Sequence, residues 1–69
     1  MSNSTYKLVE IVGTSENSFA EAAASGVERA SASLRNLDWF EVVETRGHLV
    51  DGKVAHFQVT MKVGFRLEE

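Results

Sequence analysis

Cysteine and proline are both absent from this 69-residue chain, and histidine occurs only twice. Without cysteine no disulfide can form, and two histidines are a poor basis for a structural zinc site. A chain of this size buries only about 60% of the surface that it exposes when unfolded, which leaves little free energy to offset the entropy of folding. The sequence therefore predicts a domain that is stabilised by association with other copies.

A basic stripe, a long apolar run and a leader sequence are also missing. The formal net charge is -3 and the lysines and arginines are scattered, which argues against binding to nucleic acid. No apolar run reaches the length of a membrane span, and the first residues lack the basic-then-apolar layout of a signal peptide. We therefore expect one cytoplasmic domain over residues 1–69, with neither nucleic acid nor a membrane as its partner.

What the sequence does contain is the pattern of one strand, one helix and two further strands. Residues 6–12 form a β-branched run that predicts the first strand, and Gly13-Thr14-Ser15 is typical of a turn that ends it. From Ser18 onwards the apolar residues follow helical spacing, and Ser18 with Glu21 matches a capping box. A helix from Ser18 to about residue 36 is the resulting prediction.

Two glycines near the predicted helix bear on its packing and on function. Gly26 lies within the helical pattern, where glycine costs about 1 kcal/mol relative to alanine; it indicates either close backbone packing or a neutral change. Gly13, between strand and helix, gives only a weak likeness to a phosphate-binding loop. Because the chain has no Ser-His-Asp order, no cysteine nucleophile and no glycine-rich phosphate loop, we expect a protein that is not an enzyme.

The last two predicted strands, residues 38–50 and 53–67, are joined by Asp51-Gly52, a strong signal for a type I′ hairpin turn. If that turn sets the register and the ladder continues without interruption, Trp39 lies opposite Gly64. One face of the hairpin is then apolar and should pack under the helix through Phe40, Val42, Met61, Val63, Phe65 and Leu67. Near the hairpin tip the same face also carries Glu44, Arg46 and His48, beside Phe57 and Val59. A neighbouring subunit is expected to cover that overhang.

The opposite face of the hairpin is polar except for Trp39. Because Gly64 has no side chain to fill the space beside it, the indole should form a flat aromatic ledge. Such a tryptophan either fills a core or a subunit interface, or it provides a surface for a flat ligand. We expect the function of the chain to lie at a subunit interface around Trp39.

Two pairs of residues in the hairpin bear on charge and on metal binding. Glu41 lies opposite Lys62, which predicts a cross-strand ion pair worth under about 1 kcal/mol. His48 and His56 fall on opposite faces of the sheet in the uninterrupted register, which argues against a metal site between them.

Four segments closely resemble the dodecins, a family of small flavin-binding proteins. They are VEIVGTS at residues 9–15, DWFEV at 38–42, RG at 46–47 and HFQVTMKVGFRL at 56–67. The resemblance runs in the same order and spacing from Tyr6 to Glu68. It implies an α+β fold of β-α-β-β order, in which a three-stranded antiparallel sheet is partly wrapped around one helix. It further implies a hollow homododecamer with flavins bound in pairs between subunits.

The resemblance also implies which residues bind the flavin. Trp39 matches the tryptophan that stacks on the isoalloxazine ring, and Gln58 matches the glutamine that hydrogen-bonds its polar edge. Glu44 corresponds to an acidic residue near the ribityl chain. Arg46 corresponds to the basic residue of bacterial members and favours FMN over riboflavin, since a guanidinium binds phosphate well. Riboflavin and lumichrome are the alternative ligands.

The uninterrupted register separates Trp39 from Gln58. Thr45, which faces Gln58 in that register, is six residues from Trp39 and therefore about 20 Å away. Either a bulge near Gly47 or Gly64 shortens this path, or the tryptophan and the glutamine around one flavin come from different chains. We favour the second alternative, because it agrees with a site between subunits.

Storage, buffering and photoprotection of flavin are the functions that the resemblance implies, because a stacked indole quenches the excited flavin by donating an electron. A shell-forming structural module in which Trp39 only joins subunits is the alternative. An FMN enzyme comes third and would require turnover of NAD(P)H. Some bacterial relatives also bind coenzyme A at the shell surface, where Arg29 or Arg35 would serve it unless both are simply solvated.

Overall fold

The computed structural model describes residues 3–68, so residues 1, 2 and 69 of the predicted domain lie outside the described part. It contains four elements: β1 (Tyr6–Ser15), α1 (Phe19–Ser31), β2 (Leu37–Val50) and β3 (Lys53–Arg66). The β-α-β-β order and the α+β class are thereby confirmed. Within residues 3–68 no helix is long and apolar enough to cross a membrane.

The three strands form one antiparallel sheet with β3 in the centre and the order β1-β3-β2. β2 and β3 are joined by Asp51 and Gly52, whose φ angles are 53° and 75°. Two successive positive φ angles are the signature of a type I′ turn, because its backbone twist matches that of the two strands. The predicted hairpin is confirmed.

β1 is longer than the sequence pattern indicated, because it continues through Gly13, Thr14 and Ser15. These residues pair with Val59, Gln58 and Phe57 of the long central strand, which provides hydrogen-bond partners beyond the β-branched run. The predicted turn at this point is therefore wrong. These residues form no loop, which agrees with the expectation that the chain has no glycine-rich phosphate loop.

α1 begins as predicted and ends earlier than predicted. The backbone N–H of Glu21 donates to Oγ of Ser18 over 3.0 Å, which caps the first turn. At the other end, the N–H groups of Ser33 and Leu34 both donate to the carbonyl of Ala30, over 3.1 and 2.9 Å. This tightened turn ends the helix at Ser31, instead of near residue 36.

The core lies between α1 and the first and third strands. Its buried side chains are Ala22, Ala23, Val59, Met61 and Val63. Gly26 permits the close approach of helix and sheet: a Cβ added there would lie 3.2 Å from Cα of Gly13 and 2.6 Å from Cε of Met61. Of the two interpretations of this glycine, close backbone packing is the one confirmed.

β2 receives almost no cover from the helix. Phe40 and Val42 face the helix side of the sheet as predicted, yet they remain 48% and 52% exposed, because α1 packs on β1 and β3 instead. The molecule is elongated, 56 × 20 × 14 Å, and its radius of gyration is 14.4 Å. A compact domain of this length would have about 11 Å. A single chain thus leaves a large apolar surface in contact with water.

Candidate functional site

The ladder between β2 and β3 is interrupted, and the interruption reorganises the candidate site. Pairing follows the predicted register from Trp39 opposite Gly64 to Val42 opposite Met61. A β-bulge at Val43 then shifts it by one residue. The predicted register returns only beyond His48, with Leu49 opposite Val54 and the turn itself.

The bulge corrects the predicted faces of the residues that follow it. Glu44 pairs with Thr60, Arg46 with Gln58 and His48 with His56. Because side chains alternate across a strand and paired residues share a face, one extra residue transfers these side chains to the other side of the sheet. They lie on the face of Trp39, and the predicted pairing of Thr45 with Gln58 was wrong.

Trp39 lies across Gly64 as an aromatic ledge. A Cβ added to Gly64 would overlap the six-membered ring of the indole, so the ring rests directly on the backbone of β3. Tyr6 packs against it with a centroid distance of 5.1 Å and an interplanar angle of 60°. Trp39 nevertheless remains 41% exposed, which leaves the ring face opposite Gly64 open to a flat ligand.

Glu41 positions the indole from the polar side. The Nε1–H group of Trp39 donates to Oε1 of Glu41 over 3.4 Å. Glu41 and Lys62 are Cα partners as predicted, but among residues 3–68 no ion pair within 4.0 Å joins them. The carboxylate instead contacts the indole, so the predicted cross-strand ion pair is wrong.

Gln58 forms the centre of a second, polar part of the same face. It is half-buried between Thr14 of β1 and Arg46 of β2. The guanidinium of Arg46 donates to the carboxylate of Glu44 in an ion pair that is about half exposed. The two charges largely cancel in the free chain, and an anion that binds Arg46 has to compete with Glu44.

The two parts of this face are too far apart to contact one ring system. β3 runs without a bulge from Gly64, under the indole, to Gln58, six residues away, and this distance is about 20 Å. Register shifts near Gly64 and Gly47, which one alternative required, lie outside the interval between the two parts. The bulge at Val43 lies inside that interval, but it adds a residue to β2 and leaves the six-residue path along β3 unchanged. One chain therefore brings Arg46, Glu44 and Gln58 together and holds Trp39 apart from them.

A histidine pair on this face was missed in the sequence. His48 and His56 lie directly opposite each other, with ring centroids 6.2 Å apart. The prediction that they occupy opposite faces was wrong, because it took the ladder to be uninterrupted. The sequence did contain a signal. Glu44, Arg46 and His48 alternate along β2 on the face that the uninterrupted register makes apolar, and such a row indicates that the strand register shifts by one residue.

Comparison with known proteins agrees with the fold and with the motifs. The family model for dodecin matches residues 5–68. Dodecin from Thermus thermophilus is 52% identical over 64 residues, which cover 93% of either chain. The chain belongs to the dodecin family. Among solved structures, dodecin from Streptomyces davaonensis matches with a TM-score of 0.95 and 62% identity, covering 99% of this chain and 100% of that one.

A more distant dodecin has calcium in its name. Calcium dodecin from Mycobacterium tuberculosis is 35% identical over 66 residues, 93% of this chain and 90% of the relative. In the present dodecin, no group of three His, Asp or Glu side chains among residues 3–68 is arranged to hold a metal ion. Family membership is thus established, whereas the ligand has to be argued from the site.

Proposed function

We propose that this dodecin binds flavin, chiefly FMN, and stores and sequesters it in the cell. The observation that carries the proposal is the open indole of Trp39, which lies flat on Gly64 with one ring face exposed. Stacking of a planar aromatic ligand on such a ring adds about 0.5–1.5 kcal/mol to the free energy of burying its surface. A tryptophan that only filled a core would have no exposed ring face.

The complete site is proposed to form between chains of a homododecamer. Gln58 is about 20 Å from the indole, so the amide that hydrogen-bonds the polar edge of the ring comes from another copy. The exposed apolar side chains of β2 supply a surface on which copies associate. In the assembly two flavins stack as a pair between two Trp39 side chains.

Arg46 and Glu44 are proposed to determine which flavin binds. The side chain of Arg46 is 59% exposed, and its guanidinium can exchange the ion pair with Glu44 for a phosphate. FMN carries that phosphate, whereas riboflavin and lumichrome retain only the stacking and the contact with Gln58. We therefore expect FMN to bind more tightly than the other two.

The proposed role requires no catalytic residue. The indole donates an electron to an excited flavin and then receives it back, which returns both partners to the ground state before reactive oxygen forms. A flavin stacked between an indole and a second flavin has no open ring face for a hydride donor. The protein thus buffers free flavin and suppresses its photochemistry, and neither an enzymatic role nor NAD(P)H turnover is expected. A cytoplasmic location stays a prediction.

Coenzyme A as a second ligand is supported at only one of the two predicted arginines. Arg35 is paired with the carboxylate of Glu68 over 3.1 Å. Arg29 lines a shallow apolar depression with Ile11 and Ala30, a setting that suits an adenine ring beside a phosphate. Arg29 is therefore the better candidate for this additional role.

Titration of the flavin-free protein with FMN, riboflavin and lumichrome, followed by flavin fluorescence, tests the proposal. The wild type should quench all three and bind FMN most tightly, and Trp39→Ala should lose quenching while it remains oligomeric in size-exclusion chromatography. A wild type that binds no flavin, together with a Trp39→Ala variant that disassembles, would instead support a shell-forming structural module.

A further inference from the structure

The row of side chains across the sheet at Glu16, His56 and His48 has no role in the proposed flavin site. The two histidines are Cα partners on adjacent antiparallel strands, an arrangement that places their Cβ atoms about 4.5–5.5 Å apart on one face. On the other side of His56, Oε2 of Glu16 lies 4.0 Å from Nε2. Two imidazoles and a carboxylate thus follow one another across the three-stranded sheet.

The spacing of the two imidazoles suits one bridging metal ion. Zinc binds histidine nitrogen at about 2.0–2.1 Å, so two rings on a single ion have centroids about 5–6.5 Å apart. The observed separation is 6.2 Å with an interplanar angle of 43°. Small rotations of χ2 would direct one nitrogen of each ring to a common point, and the exposed position of His56 leaves room for them.

We propose that His48 and His56 form a two-histidine chelate for a divalent transition metal ion, with zinc as the representative. Nitrogen ligands favour zinc, nickel and copper over calcium and magnesium, which prefer oxygen. Two protein ligands leave the remaining positions to water, and the carboxylate of Glu16, 4.0 Å from Nε2 of His56, is near enough to stabilise the bound cation by its charge. The bulge at Val43 creates the site, because it brings the two rings to the same face.

Metal binding to this chelate does not require flavin, because neither histidine is assigned to the flavin site. His48 and His56 are the only histidines in the chain and cysteine is absent, so they are the only imidazole or thiolate ligands that the chain offers. Trp39 contributes no side chain to the row, and the neighbouring pair of Arg46 and Gln58 belongs to the proposed flavin site, which is why flavin-free protein is used in the test. Failure of the flavin proposal would therefore leave this proposal unaffected, and the reverse also holds.

Isothermal titration calorimetry tests the proposal. Zinc chloride is titrated into the flavin-free assembled protein in a buffer that does not bind metal. The wild type should bind one zinc ion per chain, and calcium should not compete. His48→Gln and His56→Gln should each weaken binding at least 10-fold, because one imidazole remains in each, and the double variant should bind no zinc. Glu16→Gln should weaken it about 3-fold, whereas Glu28→Gln, at an exposed helix carboxylate, should have no effect.

Three outcomes would overturn the chelate. Undiminished binding by the double variant would place the metal on carboxylates elsewhere. Undiminished zinc affinity in either single variant would mean that the replaced histidine is not a ligand. A ratio of one zinc ion to two chains would mean that the metal joins different copies instead of the two strands of one chain. Circular dichroism of each variant would establish that it is folded before titration.

Discussion

At the scale of single residues, Gly64 determines where the indole of Trp39 can lie. The ring occupies the space that a Cβ at Gly64 would fill, and Tyr6 and Glu41 hold it from two sides. The exposed ring face is therefore a consequence of one missing side chain on the neighbouring strand.

Gly64→Ala should weaken FMN binding about 10-fold or more, equivalent to about 1.4 kcal/mol, because the added methyl group lifts the indole off the sheet. Fluorescence titration measures this effect. Gly47→Ala is the matched control, since a Cβ there would have its nearest neighbour at an ordinary 3.7 Å. Equal affinity in the two variants would contradict the role given to Gly64.

Trp39→Phe separates stacking from electron donation. A phenyl ring retains a flat surface, so FMN should still bind with a loss of about 1 kcal/mol. Because phenylalanine is much harder to oxidise than tryptophan, the excited state of bound FMN should live longer than in the wild type. Time-resolved fluorescence of the saturated protein tests this, and an unchanged lifetime would mean that the indole is not the quencher.

At the scale of elements, α1 is held against β1 by two facing glycines. Gly13 and Gly26 approach so closely that a Cβ on either would contact the other element. At Gly13 the obstacle is the backbone carbonyl of Ala22. At Gly26 it is chiefly Cε of Met61, the end of a flexible side chain. The two positions should therefore differ in their tolerance of a methyl group.

Gly13→Ala should lower the free energy of unfolding by about 3 kcal/mol, because helix and strand have to separate. Gly26→Ala should cost about 1 kcal/mol or less, since Met61 can move and alanine improves helix propensity by a comparable amount. Urea unfolding at one fixed protein concentration measures both. A larger loss at Gly26 than at Gly13 would contradict the packing described for this contact.

At the scale of the whole molecule, the elongated shape and the bare β2 strand require association. The helix shields only two of the three strands, and the side chains of Phe40 and Val42 on the third stay half exposed. Burial of apolar area contributes about 25 cal/mol per Å², so covering this strand with another copy supplies free energy that one chain of this size lacks. Folding and assembly are expected to be coupled.

Val42→Lys should prevent assembly at micromolar protein concentration and abolish flavin binding with it, because a buried unpaired charge is strongly unfavourable. Light scattering coupled to size-exclusion chromatography measures the mass. Ser25→Lys adds the same charge at an exposed helix position and should leave the oligomer intact. A Val42→Lys variant that assembles normally would show that this surface is not an interface.

The features that the sequence determined by itself are local ones. The hairpin turn at Asp51 and Gly52, the cap at Ser18 and the pairing of Trp39 with Gly64 depend on residue type and short-range geometry. The motifs at residues 38–42 and 56–67 placed the chain in its family correctly. The flavin roles of Trp39, Gln58, Arg46 and Glu44 stay predictions until they are measured.

Tertiary structure decided the features that depend on distant partners. The turn fixes the register only near itself, so the bulge at Val43 and the faces of Glu44, Arg46 and His48 could not be read from it. The bulge removes polar side chains from the apolar side of the sheet that faces the helix. Their burial there becomes unfavourable only once the helix and β3 are in place. For the same reason the extension of β1 through Ser15 and the exposure of β2 emerged only from the packed molecule.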